Sequence, residues 1–166
     1  MTTQENINVL LIEDNEPDME SVKRALLRHM KQICYIRHAQ TMKEAAEILQ
    51  DKDYLPDLIL LDLGLPDTIG RMDTFERLSK IKKSSIPTLI LTSLNDHELA
   101  MSMIGGGADD YIQKSRISND PHSLCEKVEF ALGRRKNIAN TQKLSKESIA
   151  EKDMIISYMS GNYSAM

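Results

Sequence analysis

Residues 57–65 read DLILLDLGL, and this stretch decides the fold that the rest of the chain completes. Its unbroken apolar run, Ile59 to Leu61, is bounded by polar and turn-forming residues, which is typical of a strand buried on both faces of a parallel sheet. Asp62 follows where that strand should end. Ligands of open α/β sheets collect outside the carboxyl ends of the strands, so a carboxylate here is well placed for chemistry. A single aspartate in such a loop is nevertheless more often simply solvated.

Similar apolar runs with polar residues at their ends lie on both sides of this stretch. The runs, with the polar residues that end them, are 7–14 (Glu13 and Asp14), 33–36, 88–92 (Thr92) and 110–114 (Lys114). Each predicted strand is followed by a segment with helical periodicity, so five strands alternate with five helices. This alternation predicts an α/β fold: a doubly wound, five-stranded parallel sheet with helices on both faces.

Helix starts and apolar stripes can be assigned along the chain. Thr41 with Glu44 forms a capping box, Asn95 or Asp96 is the expected cap of the fourth helix, and Pro121 is the expected first residue of the fifth. The residues expected to face the sheet from the first and third helices are Met19, Val22, Leu26, Leu27, Met30, Met72, Phe75, Leu78 and Ile81.

Composition narrows the function classes. The 166 residues are 41% hydrophobic, which is enough for one hydrophobic core with a short appendage. The net charge of −4 is unfavourable for direct binding to nucleic acid, which is itself negatively charged. We therefore expect a domain over residues 7–133 and a helical extension or flexible tail over 134–166. Cys34 and Cys125 stand far apart, which fits a reducing compartment, and no segment resembles a membrane span or a signal peptide. A cytoplasmic protein with no membrane contact is expected.

The polar strand ends should meet although they are far apart in sequence. In a parallel sheet all carboxyl ends lie at one edge, which brings Glu13, Asp14 and Asp62 together, and crowded carboxylates call for a hard cation. Mg²⁺ fits, because it takes one or two carboxylates and keeps open positions for water and phosphate oxygens. Asp14, Asp62 and a loop carbonyl near Gly64 are the expected ligands.

The same edge can support phosphoryl transfer. Asp62 can attack phosphorus in line and form an acyl phosphate, while the metal and the Lys114 ammonium neutralise the phosphoryl oxygens. The Thr92 hydroxyl can donate a hydrogen bond to the bound phosphate. Taken singly, Lys114 is more readily a solvated strand end and Thr92 an ordinary β-branched strand residue. The occurrence of all five polar residues at strand ends favours the chemical interpretation.

The segments LLIEDN, LILLDLGLPD, LILTS and DYIQK closely resemble the receiver domain of two-component response regulators over residues 7–133. That family has a flavodoxin-like, chemotaxis-regulator-like fold with strand order 2-1-3-4-5. The resemblance implies these roles: Glu13 and Asp14 as the acidic pair, Asp62 as the phosphoacceptor, Thr92 as the switch hydroxyl, Tyr111 as the switch aromatic and Lys114 as the phosphate-binding lysine.

The resemblance also implies partners and a mode of action. A sensor histidine kinase or phosphotransfer protein would donate the phosphoryl group, with Mg²⁺ or, as a substitute, Mn²⁺ at the acidic pair. Phosphorylation would change the face made by the fourth helix, fifth strand and fifth helix, through which homodimerisation is also expected. The protein would then be a signalling module with slow self-dephosphorylation rather than a metabolic enzyme. Its downstream partner is not indicated.

One departure from the family and two alternatives stand beside this interpretation. The family lysine is usually followed by a cis proline, whereas Ser115 follows Lys114, so a trans peptide and a different path for 115–121 are expected. A phosphohydrolase that forms an aspartyl phosphate is disfavoured, because its Asp-x-Asp motif follows the first strand and here Leu63 and Gly64 follow Asp62. A scaffold with a receiver fold that acts without phosphorylation is the remaining alternative.

Overall fold

The computed structural model describes residues 5–93 and 97–162. Its strands are β1 (Ile7–Ile12), β2 (Cys34–Ala39), β3 (Leu58–Asp62), β4 (Thr88–Thr92) and β5 (Asp110–Gln113). Its helices are α1 (Glu16–His29), α2 (Met42–Gln50), α3 (Arg71–Ile81), α4 (His97–Gly105), α5 (Lys114–Asn119) and α6 (Pro121–Asn162). The predicted caps Asn95 and Asp96 lie outside the described residues.

The sheet has the predicted architecture. The strands follow the order β2-β1-β3-β4-β5 and every neighbouring pair is parallel, which confirms a doubly wound, flavodoxin-like fold. The register pairs Ile12 with Leu61, Asp62 with Leu91 and Thr92 with Gln113. The carboxyl ends of β1, β3, β4 and β5 therefore reach the same edge of the sheet. The second strand is longer than the predicted 33–36.

The sheet divides the core into two clusters, one on each face. Leu11, Leu60 and Leu89 point to one cluster, and Leu10, Ile59 and Ile90 point to the other. Every residue of β3 and β4 is buried. This explains why their sequences are continuous apolar runs rather than alternating patterns.

Two of the predicted helix faces need correction. Leu27 is 63% exposed, because α1 faces the sheet with Val22, Ala25 and Leu26, and Leu27 lies one residue, or about 100°, further around the helix. In α3 the buried side chains are Thr74, Phe75 and Leu78, while Met72 and Ile81, at the two ends of the helix, are 44% and 40% exposed.

The capping predictions hold where the structure describes them. The Thr41 hydroxyl accepts a hydrogen bond from the Glu44 amide at 3.1 Å, and the Glu44 carboxylate accepts one from the Gln40 amide at 2.7 Å. The start of α6 at Pro121 is also as predicted. These local signals are readable because each one satisfies amides that a helix start leaves without intrahelical partners.

The described part of the chain contains a sixth helix where five were predicted. Residues after Lys114 form the short helix α5 instead of a loop, and its Ile117 is buried in the core cluster that contains Leu11. No cis peptide bond occurs among the described residues, in agreement with the expectation for Lys114 and Ser115. One buried apolar residue in six is too little periodicity to reveal a helix in advance.

The chain divides after Leu132 into two units. The first holds the sheet, α1 to α5 and the part of α6 up to Leu132. The second begins at Gly133 and is helical up to Asn162. Within the described residues, no helix combines the length and the apolar character needed to cross a membrane. The domain assignment 7–133 and the interpretation of 134–166 as an extension or tail stay predictions.

Candidate functional site

Three carboxylates meet at the carboxyl edge of the sheet. Glu13 and Asp14 follow β1, and Asp62 ends β3, its neighbour in the sheet. One oxygen from each of the three lies within 4.8 Å of the others. Glu13 and Asp62 are buried, whereas Asp14 is exposed. So many negative charges at so short a range repel one another unless a cation lies among them.

Lys114 brings a positive charge to this cluster. It is the first residue of α5, directly after β5. Its Nζ lies 2.8 Å from Glu13 Oε2 and 2.9 Å from Asp62 Oδ1. The same ammonium donates a hydrogen bond of 2.9 Å to Asp18 Oδ2. The long, flexible lysine side chain is suited to reaching this cluster from two strands away.

The pKa values of Glu13 and Lys114 are both raised in this cluster. Burial raises the pKa of Glu13 to about 7, and this effect exceeds the opposing one of the Lys114 ammonium. Burial alone would lower the pKa of Lys114, but its hydrogen bonds to Glu13 and Asp18 and the charge of Asp62 outweigh burial and raise it. One ammonium thus stays charged, while a buried carboxyl near it is drawn toward its neutral form.

Glu13 is held rigidly at this edge. Its amide donates to the Ala39 carbonyl at 2.9 Å, and its Oε1 accepts from the Asn15 amide at 3.0 Å. His38 Nε2 lies 2.7 Å from the Glu13 carbonyl oxygen, which can only accept, so that nitrogen carries the hydrogen. Buried Oε2 faces the Lys114 ammonium at 2.8 Å.

Asp62 has a partner for each of its oxygens. Oδ1 pairs with Lys114, and Oδ2 accepts a hydrogen bond of 3.1 Å from the Gly64 amide. A β-carbon at position 64 would come to 3.4 Å from Oδ2, so glycine keeps this side of the carboxylate uncrowded. The assignment of the Gly64 carbonyl as a metal ligand stays a prediction.

The loop after Asp62 is anchored by contacts that the sequence analysis did not find. The Thr74 hydroxyl donates to the Leu63 carbonyl at 3.0 Å, within the buried interior. The Asp67 carboxylate accepts hydrogen bonds from the amides of Met42 and Lys43 at 2.9 and 3.0 Å. These amides lie at the start of α2, so Asp67 joins the loop to a different helix. The loop backbone next to Asp62 is thereby restrained.

Thr92 and Tyr111 lie on the other side of the same edge. Thr92 ends β4 and is buried, and its hydroxyl donates to the Ile112 carbonyl over a long 3.4 Å. Tyr111, in β5, has its hydroxyl 2.7 Å from His97 Nδ1 at the start of α4, and the two rings meet edge to face at 5.4 Å. Lys127 Nζ of α6 lies 5.8 Å from the centre of the Tyr111 ring, so the contacts of these two residues are with β5, α4 and α6. Their switch roles stay predictions.

Asp18 is the site residue that sequence analysis missed. It lies in the first turn of α1, where an acidic residue is usually explained by the helix dipole alone. Its contact with Lys114 joins residues 96 positions apart. The available signal was positional: α1 starts directly after β1, so its first turn must lie at the same edge as Glu13 and Asp14.

Comparisons with known proteins agree with this geometry. The profile of the response regulator receiver domain matches residues 9–129. The virulence transcriptional regulatory protein PhoP of Salmonella typhimurium strain LT2 is 33% identical over 113 residues, which are 65% of this chain and 45% of PhoP. PhoP of Escherichia coli K12 is also 33% identical over 113 residues. The chain spans about half the length of these curated relatives.

Solved structures of receiver domains share the fold. The signal receiver domain of a LuxO repressor protein from Vibrio parahaemolyticus is 25% identical with a TM-score of 0.66, covering 82% of this chain and 98% of that one. The phosphorylated cyanobacterial phytochrome response regulator RcpA is 27% identical with a TM-score of 0.63, covering 77% and 95%. The sequence match and the strand-end arrangement agree, and the chain belongs to the response regulator receiver domain family.

Proposed function

We propose that this protein takes a phosphoryl group onto Asp62 in a two-component phosphorelay and signals by a change of conformation. One observation carries the proposal: the Lys114 ammonium lies within 2.9 Å of both Glu13 and Asp62, next to the exposed carboxylate of Asp14. Such a site combines a carboxylate nucleophile, oxygen donors for a metal and a mobile positive charge for the incoming phosphate.

The donor set fits Mg²⁺, and Mn²⁺ as a substitute. Glu13, Asp14, Asp62 and the Gly64 carbonyl offer oxygen only, which is the preference of hard divalent cations. One oxygen from each of Glu13, Asp14 and Asp62 lies within 4.8 Å of the others, which supports a cation at this point. When bound, the metal supplies neutralisation of charge on the phosphoryl oxygens.

Asp62, Lys114 and Thr92 each have a separate role in the proposed reaction. A carboxylate oxygen of Asp62 attacks phosphorus, an acyl phosphate bond forms, and the bond from phosphorus to the donor breaks with its electron pair leaving on the donor. Lys114 transfers its contact from Asp62 to a phosphoryl oxygen, and the Thr92 hydroxyl donates to another. Water later cleaves the acyl phosphate slowly, so the protein is a signalling module rather than a metabolic enzyme.

The donor in this proposal is a sensor histidine kinase or a phosphotransfer protein. Family membership supports this choice, because response regulator receivers operate in two-component systems. The bond broken in the donor would be the phosphorus–nitrogen bond of a phosphohistidine. We propose no direct contact of the chain with nucleic acid, consistent with its net charge of −4.

The output of the proposed reaction is a change in the face formed by α4, β5 and residues 121–132 of α6. An aspartyl phosphate carries about 1.5 to 2 negative charges, whereas the carboxylate that it replaces carries one. Thr92 would move toward it, and Tyr111 would leave His97 and rotate inward. A downstream partner, or a second copy of the domain, that binds the two states of this face differently would read the change.

Intact mass spectrometry after incubation with acetyl phosphate tests the proposal. The wild-type protein should gain one phosphate that depends on Mg²⁺ and is labile to base, and Asp62→Asn should gain none. Asp57→Asn is the matched control, because Asp57 precedes the same strand at its opposite end and accepts a hydrogen bond from the Asn8 amide, which asparagine can also accept. It should be phosphorylated normally.

The opposite result would favour the scaffold alternative. If neither the wild type nor Asp57→Asn gains mass, while both remain folded and bind Mg²⁺, then Asp62 is not a phosphoacceptor. If Asp62→Asn gains the same mass, the acceptor is a different residue.

A further inference from the structure

The helical segment after Gly133 exposes apolar side chains that the proposed function does not use. Six of them form a set, which we call the apolar face; they are Ile138, Leu144, Ile149, Ile155, Ile156 and Met159, exposed by 49, 66, 57, 51, 61 and 61%. A helix of this kind gains little stability from propensity alone and normally depends on covering an apolar stripe. So many exposed large apolar side chains on one helix are typical of a surface that binds a partner.

The six residues lie on one side of the helix. At about 100° per residue they fall within an arc of roughly 140°, the width expected of a stripe that packs against a partner. The rest of the arc is mostly small or polar, comprising Asn137, Thr141, Ser145 and Ser148, with Arg134 and Lys152 as its charged members. Met154 and Tyr158 are also exposed but project outside the arc.

Charge is distributed unevenly along this segment. Residues 134–146 contain five basic residues and no acidic one, whereas residues 147–159 contain three acidic residues and one basic residue. The two halves are thus opposite in sign. Two such segments attract one another when the first half of each lies beside the second half of the other.

We propose that the apolar face binds the apolar face of a second copy of this chain, with the two helices antiparallel. A parallel pair would place the basic halves side by side and bring the two Lys152 side chains together within the contact. An antiparallel pair separates the two Lys152 residues and sets basic against acidic halves. Lys146 and Asp153 lie along the same edge of the apolar face, one before and one after Ile149. In an antiparallel pair, Lys146 of one chain would therefore lie near Asp153 of the other.

The antiparallel pair closes on itself. It is an isologous contact with a two-fold axis near Ile149, so two copies bury the stripe without leaving a surface for further growth. The association needs neither Asp62 nor a phosphoryl group. It therefore goes beyond the proposed function and differs from dimerisation through α4 and β5.

Molar mass by light scattering on the full chain is the first test. The wild type should be dimeric, and Ile149→Glu combined with Ile156→Glu should raise the dimer dissociation constant at least a hundredfold by placing charges within the contact. Met154→Glu combined with Tyr158→Glu is the matched control, since it adds the same two charges to the same helix outside the apolar face, and it should leave the dimer intact. Acetyl phosphate labelling of the double variant should be unchanged, which separates this test from that of Asp62.

Disulfide cross-linking then tests the direction of the helices. A mixture of Ile138→Cys and Met159→Cys chains should cross-link between the two variants, and each variant alone should give little product. The wild type controls for Cys34 and Cys125, which are both buried and free. Added sodium chloride should weaken the dimer, because opposite charges attract across an antiparallel contact.

Several results would overturn the proposal. A monomer at every concentration would show that the face is covered by a different protein or remains bare. A dimer insensitive to Ile149→Glu with Ile156→Glu would place the contact elsewhere, and a trimer or larger species would exclude a closed pair. Strong cross-linking of Ile138→Cys with itself would show parallel helices. A circular dichroism melt of each full-length variant, compared with that of the wild type, shows whether the substitutions have unfolded the chain.

Discussion

The two sides of the functional edge are held with different strength. On the side of β1 and β3, Lys114 lies 2.8 Å from Glu13 and 2.9 Å from Asp62, with Glu13 fully buried. On the side of β4 and β5, the hydrogen bond from the Thr92 hydroxyl to the Ile112 carbonyl is long, at 3.4 Å. Tyr111 is hydrogen-bonded to His97, which is exposed. The groups on the first side are thus held by short ion pairs, and we expect the predicted switch groups on the second side to be displaced more easily. Four predictions test this contrast.

The largest effect is expected from removing the central charge. Lys114→Met should lower the free energy of unfolding in metal-free buffer by about 3 kcal/mol, because it leaves buried carboxylates without their cation. Urea denaturation measures this loss. Lys127→Met is the control, since Lys127 pairs with Asp110 at 2.8 Å but both side chains are more exposed than that of Glu13, and it should cost less than about 1 kcal/mol. Equal losses would mean that the two sides do not differ.

A pH dependence of somewhat smaller size should come from Glu13. Its pKa in the folded protein is raised from about 4.5 to about 7, so the folded state binds more protons than the unfolded state between these values. Stability should therefore fall as pH rises from 4.5 to 7 and then level off, by at most about 3 kcal/mol. The raised pKa of Lys114 adds no slope here, because lysine is charged in both states in this window.

The comparison with Glu13→Gln isolates this contribution. Denaturant unfolding at several pH values should give a wild-type curve that descends relative to the variant over that window. Saturating Mg²⁺ should remove the descent, since metal binding displaces the proton from a carboxyl ligand. A wild-type curve parallel to that of Glu13→Gln would show that Glu13 titrates as an ordinary surface carboxyl.

A third and smaller effect concerns Asp18, which competes with Glu13 and Asp62 for the ammonium. In Asp18→Asn, Lys114 should pair more closely with the proposed metal ligands, and one negative charge is lost, so the affinity for Mg²⁺ should fall roughly fivefold, or about 1 kcal/mol. Calorimetric titration at constant ionic strength measures it. Glu16→Gln removes an equal charge from the same turn of α1 and should have a smaller effect. If the two variants lowered the affinity equally, Asp18 would act only through its charge and not through its contact with Lys114.

The smallest effect is expected on the switch side. Tyr111→Phe removes the hydrogen bond to His97, which lies at the surface where water can replace it, so stability should fall by less than about 0.5 kcal/mol. A double-mutant cycle with His97→Ala, followed by urea denaturation, gives the coupling between the two residues. A coupling energy as large as the loss in Lys114→Met would show that Tyr111 is anchored, and the contrast between the two sides would fail.

Much of the candidate site was predictable because it depends on strand ends. Asp62 and Thr92 end continuous apolar runs that are typical of buried strands, and the rule that parallel strands end at one edge brings them near Glu13 and Lys114. Contacts that a helix or loop side chain makes with a residue of another element were not predictable in this way. Asp18, Asp67 and His97 reach partners on other elements, and no local pattern marks where such a side chain points.

The sequence by itself determined the alternation of strands and helices, the parallel sheet and the residues at its carboxyl edge, since apolar periodicity and capping act over a few neighbouring residues. Only the tertiary structure decided which carboxylates share the Lys114 ammonium, that Leu27 lies in solvent, and that residues 114–119 form a helix around the buried Ile117. These outcomes depend on how whole elements pack over the sheet, because packing sets the direction of each side chain and the burial of each charge.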